Sequence, residues 1–431
     1  MKLGGRLQAA IEVLQEVEGR KRPVAEALKD WGRTHRFAGS GDRSAIGNIV
    51  YDAMRSRASI AWRMGEDTPR ALAIGTLAFD WNNSPEQLAA AIADDAHAPE
   101  ALNDAEVAAI EAKSLKDAPF WVKGDIPEWV EGAFLEAFEE DAHMEAKAFS
   151  RRPPVDIRVN TLKSTVEKVQ KELSRFDPKP TKLSKTCLRF PAGKGDSRQP
   201  NIQGDPAFRK GFYEVQDEGS QIVSSLIYPR AGEQVLDFCA GAGGKTLAMA
   251  AQMENKGQIY AYDMNASRLA PIVDRITRAG VRNAQTRTPN DGALDDLMGR
   301  MDRVVVDAPC TGTGTWRRRP ETKWKLTEEQ LEKRVEEQQL ALAQARQFVR
   351  PGGYLIYITC SVLAAENEDQ IYHFIANNPD FELVSAGEVW QDLYGLEAPQ
   401  PWSSDMMSVT LTPASTQTDG FFFSVLERHQ G

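Results

Sequence analysis

Cysteine is scarce in this sequence: its 431 residues include only four, Cys187, Cys239, Cys310 and Cys360. So few thiols in so long a chain exclude a scaffold held together by disulfides. The sequence also contains no C-x-x-C pair, which disfavours a zinc site. We therefore expect reduced thiols and no metal centre.

Long hydrophobic runs are also missing. No stretch of about 18 apolar residues occurs, so no membrane-spanning helix is predicted. The polar start, Met1–Arg6, lacks the apolar segment of a signal peptide. These features predict a cytoplasmic protein that does not enter a membrane, and the length predicts two or three domains with ample core.

An excess of positive charge is lacking as well, since the formal net charge is −10. This balance argues weakly against a nucleic-acid partner, but the charge is unevenly distributed. Residues 151–200 contain 13 lysines and arginines and only five acidic residues. Such a segment is typical of a phosphate-binding face, although a solvated basic surface would show the same composition.

The chain is predicted to contain three regions. Residues 1–145 show apolar residues at helical spacing and no strand-like runs, which predicts an all-helical domain ending before Pro153-Pro154. Residues 146–212 combine an alternating strand pattern with a basic helix candidate and predict a small α+β module. Residues 213–431 alternate short apolar runs with helical patterns, which predicts an α/β domain with a doubly wound, mainly parallel sheet.

Two of the cysteines each close a short apolar run. Cys310 follows 304–309 and Cys360 follows 354–359, and both runs are typical of buried parallel strands. Ligands bind at the carboxyl ends of strands in open α/β sheets, so both thiols are expected at the ligand-binding edge. One cysteine in an apolar strand is more often a small core residue, but a pair at strand ends indicates thiol chemistry.

A glycine-rich turn, Asp237–Thr246, lies between a predicted strand and a predicted helix. Glycine permits a tight turn and a close approach of the backbone to a ligand. Asp263 ends the next strand, about twenty residues further on, where a carboxylate can bind both hydroxyls of a ribose. This pattern serves a dinucleotide or S-adenosylmethionine equally well. Cys239 stands where a P-loop needs glycine, which disfavours an ATPase.

The cysteines favour the methyl donor. Carbon 5 of cytosine is too weak a nucleophile to attack a methyl group, and a thiolate that adds to carbon 6 activates it. A base must then remove the proton from carbon 5 so that the thiol can leave. One cysteine as nucleophile and a second as release group fit this chemistry. Asp307, three residues before Cys310, would hydrogen-bond the polar edge of the ring.

The segments around both cysteines resemble motifs of the RNA cytosine-5 methyltransferases of the RsmB/Nop/Sun type. Asp307–Gly314 is similar to their fourth motif and Thr359–Val362 to their sixth. The turn Asp237–Thr246 resembles their S-adenosylmethionine motif. Further similar segments are Arg318-Arg319-Pro320, Lys323-Trp324, Glu366-Asn367-Glu368, Arg158–Thr161, Gln216–Ser220 and Thr418–Phe422. The resemblance covers about residues 150–430.

This resemblance implies a Rossmann-like class I methyltransferase domain that binds S-adenosylmethionine. By position, Cys360 would be the nucleophile and Cys310 the release group, an arrangement that separates the RNA enzymes from the DNA enzymes. Asp307 would lie between the cofactor and the target base. The implied cofactor-binding residues are Cys239, Ala240, Gly241, Ala242, Gly243, Gly244, Lys245, Asp263, Asp291 and Asp307.

Three of these residues have more specific expectations. Asp263 would bind the ribose and Asp291 the adenine. Lys245 would help to shape the site, or would only cap nearby carbonyls. Ala242 stands where the family usually has proline, which loosens the turn but keeps its glycines.

The helical region is similar to the NusB-like domain of the bacterial small-subunit ribosomal RNA members, through Asp42-Arg43 and 49–55. The resemblance implies RNA as the partner, 16S ribosomal RNA foremost, bound by the basic module, with Arg317, Arg318 and Arg319 adding charge beside Cys310. We expect a monomer that binds no DNA. The alternatives are a transfer RNA substrate, a DNA cytosine-5 methyltransferase, and a non-catalytic RNA-binding ribosome-assembly factor.

Overall fold

A computed structural model describes residues 1–112, 114–403 and 405–430. They form two compact units. The first unit contains Met1–Pro153, Ala192–Pro200 and Trp316–Lys325. The second contains Pro154–Pro191, Asn201–Thr315 and Leu326–Gly431. The domain boundaries expected at residues 145 and 212 stay predictions.

The first unit is helical, as its apolar periodicity predicts. Within the described part of residues 1–153, its α-helices are α1 Leu3–Gly19, α2 Val24–Thr34, α3 Ser40–Arg55, α4 Arg57–Met64, α5 Pro69–Gly75, α6 Pro85–Ala93, α7 Asp104–Ala112, α8 Phe120–Gly124, α9 Glu131–Phe138 and α10 Ala142–Ala148. Leu7, Leu14, Ile49 and Leu72 are buried between these helices and form part of one hydrophobic core. No helix in the described ranges is both long enough and apolar enough to cross a bilayer.

A four-stranded antiparallel sheet opens the second unit. Its elements are β1 Val155–Val159, α11 Val166–Glu172, β2 Lys179–Pro180, β3 Cys187–Phe190, α12 Pro206–Arg209 and β4 Tyr213–Val215, with strand order β2-β3-β1-β4. The hydroxyl of Thr165 caps α11 by accepting a hydrogen bond from the Lys168 N–H. The predicted small α+β module is therefore present.

The remainder of the second unit is built on an eight-stranded sheet. Its elements are α13 Glu218–Leu226, β5 Gln234–Asp237, α14 Gly244–Gln252, β6 Gln258–Tyr262, α15 Ala266–Leu269, α16 Ile272–Ala279, β7 Ala284–Arg287, β8 Met301–Asp307, α18 Glu328–Ala345, β9 Val349–Thr359, α19 Glu368–Asn377, β10 Phe381–Val384, α20 Ala386–Tyr394, β11 Ser408–Leu411 and β12 Phe421–Arg428. Helix α17, Pro320–Lys325, follows β8 in the chain and belongs to the first unit. The strand order is β10-β12-β9-β8-β5-β6-β7, and β11 pairs with β12.

Strands β5 to β9 are parallel, whereas β10, β11 and β12 pair antiparallel at one side. The predicted Rossmann-like, doubly wound methyltransferase fold is confirmed. Val304, Val305, Val306 and Ile356 are fully buried, which explains why the strands before the two cysteines are continuous apolar runs. In the parallel register, Asp307 stands beside Ile358, so β8 and β9 end at the same edge of the sheet.

The sequence Thr327-Glu328-Glu329-Gln330 has the pattern of a capping box and predicts a helix that starts there, and α18 begins at Glu328. Thr327 and Gln330 form a capping box, in which each side chain bonds the backbone N–H of the other residue. This helix, α18, packs against β8 and returns the chain to the parallel strand β9. Its position places both cysteine loops at the carboxyl edge of the sheet.

Candidate active site

The glycine-rich turn connects β5 to α14 at the carboxyl edge of the sheet. Gly243 has a φ of 83°, and a Cβ at this position would lie 2.4 Å from a side-chain carbon of Ile272. Glycine is therefore required there both by backbone conformation and by packing. The Ala240 N–H donates a 2.8 Å hydrogen bond to the carbonyl of Tyr262, which fixes the turn against the end of β6.

Asp263 lies at this point of contact, directly after β6. Its Oδ2 accepts a 3.0 Å hydrogen bond from the Gly241 N–H, and its Oδ1 accepts one of 2.9 Å from the Asn265 N–H. A carboxylate has about four lone-pair positions, so acceptor capacity remains for hydroxyl groups of a ligand. Asp291, the residue expected to bind the adenine, is exposed in the turn that follows β7.

Asp237, the last residue of β5, is fully buried below the turn. The hydroxyl of Thr246 donates a 2.6 Å hydrogen bond to its Oδ2, while its Oδ1 has no partner among the described residues. Burial raises the pKa of Asp237 to about 7, because a charged carboxylate is poorly solvated there. Burial likewise raises the pKa of the Cys239 thiol, two residues along the turn.

Lys245 connects the turn to the end of β8. Its Nζ lies 2.6 Å from Oδ2 of Asp307 and 5.4 Å from the centre of the Phe421 ring. The Lys245 side chain is 6% exposed, whereas that of Asp307 is 34% exposed. The ammonium therefore pairs with the carboxylate, and of the two roles considered for Lys245, shaping the site fits this geometry.

The two strand-end cysteines meet. Their Sγ atoms are 3.3 Å apart, although 50 residues separate them in sequence. Both residues are partly exposed and both thiols are free. The hydrogen bond with Cys360 and burial raise the pKa of the Cys310 thiol.

Direct bonds between the two cysteine loops support this arrangement. The Thr313 and Ser361 hydroxyls are 3.0 Å apart, and the Gly314 N–H donates to the carbonyl of Cys360 at 2.9 Å. A Cβ at Gly314 would lie 2.2 Å from the carbonyl oxygen of Gly420, so only glycine fits this crossing. The expected family motifs at 307–314, 359–362 and 418–422 thus contact one another.

Two arginines that the sequence does not single out for this role hold the cofactor turn. Arg158, on β1, donates to the carbonyl of Gly244 at 3.0 Å, and Arg275, on α16, donates to that of Ala242 at 2.7 Å. Arg158 falls in a segment noted for its family resemblance, whereas nothing in the local sequence marks Arg275. Their partners are carbonyl groups, which every residue carries, so the pairing has no signature in the sequence.

The basic segment at 151–200 is less uniform than its composition suggests. Ten of its cations are exposed, of which Arg151, Lys194 and Arg198 belong to the first unit. The other seven lie in the four-stranded part of the second unit: Lys163, Lys168, Lys171, Arg175, Lys179, Lys182 and Lys185. Arg158 is buried and Arg189 is bound to the carboxylates of Asp156 and Glu218, so neither belongs to an open phosphate-binding face. Arg317, expected to add charge beside Cys310, is buried in the first unit, where its carbonyl accepts a hydrogen bond from Arg55.

Comparison with known proteins identifies relatives of this chain. The model of the 16S rRNA methyltransferase RsmB/F family matches residues 224–427. Ribosomal RNA small subunit methyltransferase B of Enterobacter sp. (strain 638) is 29% identical over 309 residues, which cover 70% of this chain. The match spans 66% of that relative, slightly less than two thirds of its length.

Two solved structures share the fold. The crystal structure of PH0851 is 25% identical, with a TM-score of 0.74, and the match covers 99% of this chain and 100% of that one. The methyltransferase homolog protein from Pyrococcus horikoshii is 27% identical, with a TM-score of 0.58 over 72% of this chain and 97% of its own. Over residues 224–427, this chain is similar to the RsmB/F family of 16S rRNA methyltransferases.

Proposed function

We propose that this protein transfers a methyl group from S-adenosylmethionine to carbon 5 of a cytosine in RNA, with 16S ribosomal RNA as the expected substrate. One observation carries the proposal: two thiols 3.3 Å apart at the carboxyl ends of neighbouring parallel strands, beside the Lys245–Asp307 pair. A covalent route to carbon 5 needs one sulfur to attack and a second group to take a proton. The relative from Enterobacter is named for ribosomal RNA methylation, which supports the substrate class.

The residues of the turn fit the donor. The glycine backbone permits close approach, Asp263 offers free acceptor positions for ribose hydroxyls, and Asp291 would contact the adenine. The buried Oδ1 of Asp237 is an unpaired acceptor in the same turn. When bound, S-adenosylmethionine supplies a methyl group on a positively charged sulfur, and the partly exposed carboxylate of Asp307 would stand between it and the target base.

The attacking step is assigned to Cys360. Its thiolate forms a bond to carbon 6, and the electron pair of the C5–C6 double bond moves into the ring and makes carbon 5 nucleophilic. Asp307 would hydrogen-bond the polar edge of the ring and favour this form. Carbon 5 then takes the methyl group, and its original proton remains in place.

Release is assigned to Cys310, and the contact between the sulfurs explains the order of events. The Cys310 pKa is raised by the hydrogen bond with Cys360, by burial and by repulsion from a Cys360 thiolate. Once the Cys360 sulfur is bonded to carbon, its hydrogen bond and its charge are lost, so Cys310 yields its proton to solvent more readily. The Cys310 thiolate then removes the proton from carbon 5, the C5–C6 double bond re-forms, and Cys360 leaves as a thiolate.

Access to carbon 6 requires that the target cytosine leave its stack, because these atoms are inaccessible inside a helix. The seven exposed cations of the small module would hold the neighbouring phosphates, an interaction that weakens with salt and carries no sequence choice. We infer that the small module supplies the affinity for RNA and that the two cysteines carry out the reaction.

A single set of reactions tests the proposal. Wild type, Cys310→Ala and Cys360→Ala are incubated with S-adenosylmethionine and unmethylated ribosomal RNA, then analysed for denaturation-resistant protein–RNA adducts and for 5-methylcytosine. We expect Cys310→Ala to accumulate adduct and Cys360→Ala to form neither adduct nor product. Adduct formation by Cys360→Ala would reverse the roles. Product on transfer RNA alone would change the substrate, and no product on any RNA would favour a ribosome-assembly factor.

A further inference from the structure

A short turn after Cys360 carries two adjacent polar residues that the mechanism above does not use. Glu366 ends the 3₁₀ turn Ala364–Glu366, and Asn367 precedes α19. Their exposed fractions are 0% and 1%. Burial of a carboxylate and an amide is unfavourable unless hydrogen bonds compensate it, so their partners reveal what they hold.

Glu366 binds the residue after Cys310 directly and the residue before it through Gln338. The Thr311 N–H donates to its Oε1 at 2.8 Å, and the Thr311 hydroxyl donates to its Oε2. The side-chain amide of Gln338 donates to the same Oε1 at 3.0 Å and also to the carbonyl of Pro309 at 2.9 Å. The residues before and after Cys310 are thus fixed through one buried carboxylate.

Asn367 binds the residues on both sides of Cys360 directly. The Thr359 hydroxyl donates to its Oδ1 at 2.6 Å, and its Nδ2 donates to the carbonyl of Ser361 at 3.1 Å. Thr359 and Ser361 are both fully buried. Neighbouring residues of one turn therefore hold the two cysteine loops separately.

The turn itself is anchored to the sheet. The hydroxyl of Tyr357, on β9, donates a 2.6 Å hydrogen bond to the carbonyl of Glu366. Tyr357 is fully buried and is two residues before Thr359 on the same strand. The turn that carries Glu366 and Asn367, called the clamp below, is therefore bonded to a buried strand.

We propose that Glu366 and Asn367 are positioning residues with divided roles: Glu366 holds the Cys310 loop and Asn367 holds the Cys360 loop, and together they set the distance between the two sulfurs. The positioning itself rests on the contacts above. Its division into a release role and an attack role rests on the proposed function. Loss of the Glu366 carboxylate displaces Cys310 and slows release, whereas loss of the Asn367 amide displaces Cys360 and slows attack.

The first measurement needs no RNA. Phenylarsine oxide condenses with two neighbouring thiols to form two As–S bonds with loss of one water, so its retention reports the sulfur–sulfur distance. We expect wild type to bind one equivalent on peptides containing Cys310 and Cys360, and Cys310→Ala to bind none there. Glu366→Ala and Asn367→Ala should each weaken retention at least about tenfold, since small displacements of reacting groups have effects of this size or larger.

The matched control is Gln370→Ala. Gln370 is buried to a similar degree, lies on α19 just after Glu366 and Asn367, and donates to the carbonyl of Ala365 rather than to a cysteine loop. It should retain the arsenical like wild type even if its stability falls. If the alanine variants of Glu366 and Asn367 do not fold, Glu366→Gln and Asn367→Asp keep the side-chain shape and should show weaker effects in the same direction.

The second measurement separates the two roles. On RNA, Glu366→Ala should accumulate adduct, whereas Asn367→Ala should form adduct slowly and release it normally. Unchanged arsenical retention in both variants would overturn the positioning role, and equal loss of both steps in both variants would overturn its division. If wild type retains the arsenical but forms no adduct on any RNA, the proposed function fails while the clamp stands.

Discussion

The ammonium of Lys245 lies 2.6 Å from the carboxylate of Asp307, and the two partners are unequally buried. Lys245 has almost no contact with solvent, while about a third of Asp307 is exposed. An ion left without its partner is costly only when water cannot reach it. The pair is therefore energetically asymmetric.

This asymmetry predicts different stabilities for two variants. Asp307→Asn leaves a buried ammonium without its anion and should lower the free energy of unfolding by about 1–3 kcal/mol, reduced from a fully buried pair because Asp307 is partly solvated. Lys245→Met leaves a carboxylate that water can reach and should change the free energy of unfolding by less than about 1 kcal/mol. Urea titrations of both variants measure this, and a larger loss for Lys245→Met would contradict it. Methyl transfer should fall in both.

Arg275 provides a test of how the cofactor turn is held. It binds Glu214 on β4 and also the carbonyl of Ala242, whereas Arg278 binds the same Glu214 at 2.5 Å and is not bonded to the turn. Arg275→Met should weaken S-adenosylmethionine binding several-fold, because the backbone of the turn loses a charged donor. Calorimetric titration measures the dissociation constants. Arg278→Met is the matched control, and equal weakening by both would show that the Ala242 contact is not responsible.

Lys323 predicts a pH dependence of stability. It is fully buried in the first unit, where its Nζ donates to the carbonyl of Arg55, and burial lowers its pKa from 10.5 to about 7. Between these values the unfolded chain binds a proton that the folded chain does not. The free energy of unfolding therefore rises as the pH increases from 7 towards 10, and this gain is lost as the pH falls back to 7. Lys323→Met should remove this rise, as measured by urea titrations across the range. The exposed Lys29→Met should keep it, and parallel curves for wild type and Lys323→Met would refute the assignment.

The ion pairs of Arg189 allow a test of how far the stability of the small module depends on buried charges. It donates to Asp156 at 2.7 Å and to Glu218 at 3.1 Å, and these carboxylate side chains are 0% and 3% exposed. Arg189→Met should lower the free energy of unfolding by about 3–5 kcal/mol, because two buried anions lose their cation.

The control for this prediction lies in the same module. Lys179 binds Asp177 at 2.6 Å, and the two side chains are 61% and 77% exposed. Lys179→Met leaves an anion that water can reach and should lower the free energy of unfolding by less than about 1 kcal/mol. Similar losses for the two variants would contradict the role of burial. The thiol of Cys187 lies near both carboxylates, and Arg189 binds each of these carboxylates.

The architecture follows from local patterns in the sequence. Alternating short apolar runs and helical patterns predicted the parallel sheet, and the capping box at Thr327 predicted where α18 begins. These features were predictable because periodicity and capping are local: each depends on residues a few positions apart. The motifs at Cys310 and Cys360 also indicated the resemblance to RNA cytosine-5 methyltransferases, since residue identity at fixed spacing is local information.

Which side chains contact one another depends on how the strands and loops pack. The wide separation of Cys310 and Cys360 in sequence gave no indication of sulfurs 3.3 Å apart, because that distance depends on the register of β8 against β9. Arg189 carried the same formal charge as the exposed lysines near it, yet burial beside two carboxylates made it structural. The sequence places Glu366 and Asn367 in one motif, and only the fold shows that their side chains bond different cysteine loops.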